Sequence, residues 1–559
     1  METQHTEDQE KAIPLNQSIE NVHPGAKIPD NHLRSSSDEA AEVNHLNGWR
    51  LALTTLGIII SALIINLEVS IVSTSLVSIT DDLKGFKQTS WVVSGYLITY
   101  TGFMILATKL SDVFGRKHCM VTGLALFTAF SGGCGGARTM TQLIVCRFFQ
   151  GVGAAATYSM TVLITYEMVP KVKVPLYGGL NSIAVALATV MGPLFGGIIT
   201  EHTTWRWVFY LNLPTGAFAI ALFMLALPNN FPYHGTGLLK AKKQPHSYLD
   251  YLKTIDILGA FLVLGGSLLL STALLETSNR FSWHYGGTIA LLVLAGLCWI
   301  GFFAWEWFVS LRIRKQEPLF PWNFVYNRPW MGMILSSCLS GVPFNALVIY
   351  IPQRIQTVSG MSPLAAGIRL LPYSFGVAFG AVLASVASSK RRVAVTNILL
   401  FGASLQVIGI ALLSTQSGTS HIPKKVYGFE ALAGIGMGAS FGVLVFATPF
   451  VVEPKDLAVA TGAIMQFRFL GGVIGLAIGS SIMNSRIKSG LEHILIQEVI
   501  GELLQSVEVL KLLPLAVKGR AIQLFADMYN LQDKVMIAFA AAQIPAVALI
   551  WNRQWSKIG

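Results

Sequence analysis

Charged residues are scarce in this sequence. They make up 12% of its 559 residues, against about 25% in ordinary soluble domains. Hydrophobic residues reach 53%, and the mean hydropathy is +0.56. A soluble protein of this size would need more polar side chains to cover its surface. The composition therefore excludes a soluble globular protein and predicts a chain surrounded mainly by lipid.

Groups that carry enzyme or metal chemistry are also missing or isolated. The sequence has no GxxxxGK[ST] segment, which excludes an ATP-driven pump with its own P-loop. No CxxC pair occurs, so neither a disulfide framework nor a zinc site is predicted. No histidine lies at the middle of a predicted span, which argues against haem held by two histidines. We expect no enzyme, no metal and no cofactor. The five cysteines are Cys119, Cys134, Cys146, Cys298 and Cys338.

The formal net charge is +11, but its distribution argues against nucleic-acid binding. The basic residues form short clusters between apolar runs, as expected at a membrane face. Residues 1–49 differ from the rest, with nine acidic and three basic residues. This segment has no apolar core of a signal peptide, and its polarity predicts a disordered acidic cytoplasmic tail.

Fourteen apolar runs are long enough to cross a bilayer, for which about 20 residues are needed. With a cytoplasmic N-terminus, the short inner loops and the C-terminus hold 19 lysines and arginines, and the short outer loops hold 8. This asymmetry satisfies the positive-inside rule, so both termini are expected in the cytoplasm. The predicted spans lie near residues 51–76, 89–108, 118–137, 141–164, 177–200, 207–228, 254–276, 286–309, 331–352, 363–386, 393–414, 426–450, 459–484 and 535–552.

Glycines of spans 4 and 5 recur 283 positions later in spans 12 and 13. They are Gly151, Gly153, Gly179, Gly192 and Gly196, repeated as Gly434, Gly436, Gly462, Gly475 and Gly479. Parallel repeats of this kind occur in transporters, related by an axis along the membrane normal. We predict an all-α membrane protein of two pseudo-repeated six-helix bundles with two helices between them, a 6+2+6 arrangement. Its segments are the tail (1–49), the N-terminal bundle (50–228), a cytoplasmic linker (229–253), two additional helices (254–309), a cytoplasmic loop (310–330) and the C-terminal bundle (331–553) with a long extracellular loop (485–533).

The connection between spans 2 and 3 concentrates charge. Residues 110–117 read Leu-Ser-Asp-Val-Phe-Gly-Arg-Lys and include Asp112, Gly115, Arg116 and Lys117. Such a cluster at a helix end can bond a facing bundle in one conformation and separate in the other, acting as a latch. A tight cytoplasmic turn with orienting charges is the alternative.

Two charged residues fall inside predicted spans, Glu68 in span 1 and Arg147 in span 4. A charge at that depth costs roughly 3 kcal/mol or more without a partner or water. Counted at 1.5 Å per residue, both lie on the order of 10–12 Å below the outer face, so we predict that they interact. Protonation of Glu68 would release the pair and bias the conformation. A purely structural ion pair, or a carboxylate that merely lines the cavity mouth, are the alternatives.

Span 5 contains the run Gly192-Pro193-Leu194-Phe195-Gly196-Gly197. Small residues let helix backbones approach closely, and proline removes a backbone hydrogen bond and bends the helix. Ordinary glycine-rich packing of membrane helices is the alternative explanation.

These segments resemble the major facilitator superfamily, specifically its fourteen-spanner drug:proton antiporter branch, over about residues 50–553. Residues 110–117 resemble the end of the family pattern G-x-L-x-D-R-x-G-R-K, although Thr108 replaces the leading Gly and Val113 the middle Arg. Residues 147–155 match R-x-x-Q-G-x-G-A-A. Residues 188–197 resemble the antiporter signature G-x-x-x-G-P-x-x-G-G with Ala188 for the first Gly, and Glu68 stands where the family has Asp.

Substrate contacts are predicted from aromatic residues with a few polar tips, which suit bulky amphipathic ligands. Arg468, in the middle of span 13, is expected to face the central cavity and hold an anionic group. The other predicted contacts lie on spans 2 and 9 and are Trp91, Tyr96, Tyr100, Phe344, Asn345, Tyr350 and Gln353.

The resemblance implies a monomeric transporter of the plasma membrane that works by alternating access. Proton influx would drive export of a hydrophobic or amphipathic small molecule, such as a drug, fungicide or secondary-metabolite toxin. A fourteen-spanner importer or vacuolar carrier, for basic amino acids or iron chelates, is one alternative. A membrane sensor that transports nothing is another.

Overall fold

The computed structural model describes residues 45–84, 89–232, 256–279, 284–312, 318–389, 393–418, 422–491 and 514–551, and every regular element in these ranges is a helix. The helices are α1 (Gly48–Leu83), α2 (Thr89–Gly102), α3 (Met104–Phe114), α4 (Arg116–Gly136), α5 (Met140–Met168), α6 (Val174–His202), α7 (Arg206–Tyr210), α8 (Asn212–Ala226), α9 (Ile257–Asn279), α10 (Gly286–Arg312), α11 (Asn323–Tyr326), α12 (Arg328–Ser359), α13 (Pro363–Arg369), α14 (Leu371–Ser389), α15 (Val395–Leu413), α16 (Lys425–Val451), α17 (Leu457–Leu491) and α18 (Leu515–Ile550). We refer to α1–α8 as the first half and to α12–α18 as the second half.

Twelve helical segments within the described ranges are long and apolar enough to cross a membrane. The bent pair of α2 and α3 raises the number to thirteen. Helix α5 is 29 residues long but is not among them, and it carries Arg147 and Gln150 in its first half. The predicted number of fourteen is therefore not reached by this criterion.

The second predicted span is not one continuous helix. It breaks at Phe103 into α2 and α3, which meet at 49°. The backbone N–H of Ile105 lies in the first turn of α3, where a helix offers no acceptor of its own. It donates instead to Oε1 of Gln466 on α17, at 3.3 Å. The break in the first half is thus bonded to the second half.

The repeated glycines make equivalent contacts in the two halves. A Cβ on Gly151 would lie 2.5 Å from the carbonyl oxygen of Tyr96, so α5 packs directly on α2. A Cβ on Gly434 would lie 2.2 Å from the carbonyl oxygen of Tyr373, so α16 packs on α14 in the same way. Only glycine permits such close backbone contacts. The sequence repeat therefore marks a repeated helix-packing pattern.

The contacts between the halves follow the same relationship. Gly179 of α6 lies against Ser385 of α14, and Gly462 of α17 lies against Thr108 of α3. Ser385 also donates a hydrogen bond to the carbonyl oxygen of Pro175. Each half thus presents its fifth predicted span to the second predicted span of the other. Helix α9 packs on both α2 and α17, beside this interface, and α10 packs on α9.

Some predicted segments have different bounds in the structure or lie outside it. The predicted loop 485–533 is helical at both ends, because α17 continues to Leu491 and α18 begins at Leu515. The last helix therefore begins about twenty residues earlier than its apolar run suggests. Residues 492–513, the tail through residue 44, and residues 233–255 of the linker region lie outside the described ranges.

Candidate functional site

Glu68 of α1 and Arg147 of α5 form a buried ion pair in the first half. The distance from Nη1 of Arg147 to Oε1 of Glu68 is 2.6 Å. Both residues are 1% exposed. The contact predicted from their equal depth is present. A charge pair this well buried needs further hydrogen bonds to offset the loss of hydration.

Neutral polar groups supply those bonds. Asn212, at the start of α8, donates from Nδ2 to Oε2 of Glu68 at 2.6 Å. Gln150 accepts from Nη1 of Arg147 at 2.9 Å, and Nε of Arg147 donates to the carbonyl oxygen of Val92 at 2.8 Å. Ser131 connects Gln150 and Asn212, accepting from both amides. The ion pair and its partners therefore come from five helices of the first half: α1, α2, α4, α5 and α8.

An aromatic ring completes this site. The guanidinium carbon of Arg147 lies 4.4 Å from the ring centroid of Tyr96, within the range of a cation–π interaction. Tyr96 then stacks on Tyr100, with ring centroids 5.5 Å apart. Tyr100 in turn meets Phe469 of α17 edge to face, at 4.8 Å. We call Tyr96, Tyr100 and Phe469 the aromatic row, which leads from the ion pair into the second half.

The charged connection between α3 and α4 forms a second cluster. Arg116 donates to Oδ1 of Asp112 at 2.6 Å and binds both oxygens of Glu167 through Nε and Nη2. Lys117 donates to the carbonyl oxygen of Met224. Gly115 adopts φ +89°, a region that favours glycine. All these described partners belong to the first half, so in this conformation the predicted latch does not bond the second half.

The glycines of the predicted antiporter signature differ in their packing. Gly192 lies against Ser70 of α1, where any larger side chain would clash. Gly196 is buried, whereas a Cβ on Gly197 would have no atom within 4 Å. Pro193 lies within the helix α6. Close helix approach is therefore seen at Gly192 and not at Gly197.

Arg468 of α17 lies at the junction of the two halves and is 4% exposed. Its guanidinium carbon is 3.4 Å from the ring centroid of Phe441, 4.7 Å from that of Phe344 and 5.6 Å from that of Phe469. The phenols of Tyr100, Tyr158 and Tyr373 are close enough to interact with its charge. We call these six aromatic residues the Arg468 cage. Tyr100 and Tyr158 come from the first half, and the other four come from the second.

The remaining predicted substrate residues do not join the cage. Trp91 packs near Phe148, with ring centroids 6.3 Å apart. Asn345 lies against Gly472. Tyr350 donates to the carbonyl oxygen of Leu476 at 2.9 Å, and Gln353 is exposed. Of the eight predicted substrate residues, the structure therefore brings together Tyr100, Phe344 and Arg468, with Tyr96 one ring away.

The family can be assigned by comparison. Residues 58–476 match the Major Facilitator Superfamily, which is most of the chain. The chain belongs to the Major Facilitator Superfamily. It is thus a membrane transporter and not an enzyme.

Curated superfamily relatives carry transporter and efflux names. The chain is 40% identical over 526 residues to an MFS-type transporter, FPY5, of Fusarium mangiferae, covering 93% of this chain and 87% of that protein. It is 27% identical to an MFS-type efflux pump, MFS1, of Arthroderma benhamiae, covering 81% and 82%. It is also 27% identical to the rubrofusarin-specific efflux pump aurT of Gibberella zeae, covering 80% of each chain.

A solved structure shares the fold. The crystal structure of the human organic anion transporter MFSD10 (TETRAN) superimposes with a TM-score of 0.54 at 12% identity, covering 88% of this chain and all of that one. This likeness extends to the arrangement of helices alone. The all-helical superfamily fold is therefore confirmed.

The second half of this superfamily member contains charged residues whose arrangement sequence reasoning missed. Arg354 on α12 and Glu430 on α16 both line a cavity with Asp533. Glu430 is 1% exposed. Helices α12 and α16 correspond to α1 and α5 of the first half, so the acid and the arginine have exchanged helices.

Proposed function

We propose that this protein is a proton-coupled exporter of hydrophobic or amphipathic small molecules that works by alternating access. The observation that carries the proposal is the buried ion pair between Glu68 and Arg147. A carboxylate is a proton acceptor, and this one is bonded directly to the arginine and the α8 amide that hold it in place.

Proton coupling would follow from the loss of one charge. The titratable groups that face Glu68 are Arg147, Tyr96 and Cys134, and the neutral groups are Asn212, Gln150 and Ser131. Protonation of Glu68 removes the counterion of Arg147 and leaves a buried positive charge, which is strongly unfavourable. A conformation that admits water to Arg147 becomes favoured, so proton binding shifts the population.

The same proposal includes fourteen spans in a 6+2+6 arrangement. Adding α5 to the twelve apolar segments and the bent pair gives this number. Helices α9 and α10 are then the two additional spans. The positive-inside rule supports cytoplasmic termini, which puts Arg116 and Glu167 on the cytoplasmic side. The plasma membrane is the proposed location.

Export is favoured over import by two observations. The run from Gly192 to Gly197 is similar to the antiporter signature, and Gly192 packs on α1 as a close-approach element requires. Relatives at 27% identity are named efflux pumps, among them one specific for rubrofusarin. The cargo is proposed to be a drug, a fungicide or a secondary-metabolite toxin.

Flux measurements in proteoliposomes test this function. Full-length protein is reconstituted, a pH gradient is imposed, and accumulation of each compound of an aromatic panel is followed with and without an uncoupler. We expect accumulation to need the gradient and to collapse with the uncoupler. Flux that ignores both, or substrate movement in the same direction as the proton, would contradict proton-coupled export.

A further inference from the structure

The charge of Arg468 is incompletely compensated by the residues that surround it. Among the described residues, its Nη1 has no hydrogen-bond partner, and no carboxylate forms an ion pair with it. The surrounding Phe344, Phe441 and Phe469 offer only ring faces. Cation–π contacts attract the charge, but they do not replace the hydrogen bonds that a buried guanidinium loses when it leaves water.

Unused hydroxyl groups surround the same charge. Within the described part of the chain, the buried hydroxyls of Tyr100 and Tyr373 have no hydrogen-bond partner, and the hydroxyl of Tyr158 contacts Arg468 alone. All three are close enough to Arg468 to interact with its charge. Buried hydroxyls normally find partners, so the two orphan hydroxyls of Tyr100 and Tyr373, beside a guanidinium whose Nη1 has no partner among the described residues, indicate a common missing acceptor.

We propose that the Arg468 cage binds the anionic oxygen of a planar aromatic acid, a carboxylate or a phenolate, as the transported substrate class. The guanidinium would supply the charge and its free N–H groups, the three phenols would donate to the anionic oxygens, and the rings of Phe344 and Phe441 would pack on the aromatic body. An uncharged ligand would leave Arg468 without a counterion. A cationic ligand would be repelled.

Binding at this position also holds the two halves together. Tyr100 and Tyr158 belong to the first half, and Tyr373 and Arg468 belong to the second. Phe469 closes the cage against both first-half tyrosines, with ring centroids 4.8 and 5.9 Å apart. A ligand can enter only when these halves separate, and once bound it offers acceptors to donors from both. This substrate assignment rests on the proposed transport function, but binding alone can test it.

The test uses three probes that share one ring system and differ in charge: 2-naphthoate, 2-naphthamide and 2-naphthylmethylammonium. Equilibrium dialysis measures their binding to full-length protein in nanodiscs, without any gradient. We expect 2-naphthoate to bind most tightly and Arg468→Gln to weaken it about tenfold or more, since a hydrogen bond to a charged group contributes roughly 1.5–3 kcal/mol. The affinity for 2-naphthamide should change by less than about threefold in the same variant. Lys455→Gln, which removes an exposed charge, is the matched control.

Tyr373→Phe provides a second variant that keeps the ring and deletes only a hydroxyl. It should weaken 2-naphthoate severalfold and leave 2-naphthamide unchanged. Equal binding of the three probes, an anion preference that survives Arg468→Gln, or no 2-naphthoate binding at millimolar concentration would each overturn the inference. Arg468-dependent binding without gradient-driven flux would instead contradict the proposed transport. Gradient-driven flux of other compounds without Arg468-dependent binding would contradict the substrate class alone.

Discussion

Arg147 and Arg468, one in each half, are joined by the aromatic row. The guanidinium of Arg147 lies on Tyr96, and that of Arg468 lies 5.6 Å from the ring centroid of Phe469. Tyr100 bridges the two rings. Movement of Arg147 on release from Glu68 would therefore press on rings that also line the Arg468 cage. The row gives a physical route between the proposed proton site and the proposed substrate site, and each end can be altered separately.

Neutralising Glu68 should uncouple transport from protons. Glu68→Gln keeps the side-chain size but cannot gain or lose a proton, so we expect gradient-driven accumulation to fall at least tenfold. Exchange of labelled for unlabelled substrate, which needs no proton, should continue. Asp82→Asn is the control, because Asp82 is half exposed and pairs with Arg206 away from the site. Wild-type accumulation in Glu68→Gln would contradict the coupling role.

Substitutions of Glu68 and Arg147 should have strongly non-additive effects on the free energy of unfolding. Arg147→Met leaves the carboxylate of Glu68 without its partner, which should lower the free energy of unfolding by about 3–5 kcal/mol. The double variant Glu68→Gln with Arg147→Met leaves no unpaired charge and should lose less than the sum of the single changes. Denaturant unfolding in mixed micelles measures all four proteins. Simple additivity would show that the two side chains do not depend on each other.

Removing a ring from the aromatic row should weaken the coupling between proton binding and substrate binding. In an antiporter the two ligands oppose each other, so the affinity for 2-naphthoate should fall as the buffer becomes more acidic. Tyr100→Leu removes the bridging ring and should reduce this pH dependence. Phe130→Leu, which removes a ring stacked on Phe149 outside the row, serves for comparison. An unchanged pH dependence in Tyr100→Leu would exclude the row as the route.

The cluster around Arg116 should depend more on Glu167 than on Asp112. Glu167 accepts through both oxygens and its side chain is 10% exposed, whereas Asp112 accepts one bond and is 24% exposed. Glu167→Gln should therefore lower the unfolding free energy by about 1–3 kcal/mol, and Asp112→Asn by less than about 1 kcal/mol. Chemical denaturation gives both values. The reverse order would mean that the geometry of the turn contributes more to stability than the pair between Arg116 and Glu167.

Two glycines of α16 should differ in how much an alanine substitution changes stability, because their packing differs. A Cβ on Gly436 would lie 2.5 Å from the backbone nitrogen of Gln406, whereas one on Gly428 would meet nothing within 4 Å. Gly436→Ala should destabilise the protein by about 1–3 kcal/mol. Gly428→Ala should be neutral or stabilising by up to about 1 kcal/mol, because alanine favours helix. Thermal unfolding in detergent compares them, and equal effects would refute the close approach of α16 and α15.

Sequence reasoning reached the Glu68–Arg147 contact because depth in a membrane can be counted along each helix. Gln150 lies within the segment that matches the family pattern, but neither it nor Asn212 could be assigned as a partner of the pair, because helix rotation is not visible in a run of apolar residues. The positions of Tyr158, Tyr373 and Phe441 around Arg468 could not be predicted for the same reason. Glu167 carried one available signal, an acid at the end of span 4 opposite Arg116. The break at Phe103 follows Gly102, a residue that weakens helices, but a single glycine in an apolar run does not by itself predict a break.

The break at Phe103 has a consequence for how the halves can part. It turns the N–H of Ile105 toward Gln466, which also donates to Ser267. Water can replace Gln466 as the acceptor for the N–H of Ile105, and it can also donate to the amide oxygen of Gln466. If the two halves separated here and water entered, neither group would be left without a hydrogen-bond partner. An interface made only of apolar contacts would instead disfavour the entry of water. The kink in the second predicted span therefore supplies a contact between the halves that water can replace, as the proposed alternating-access cycle would require.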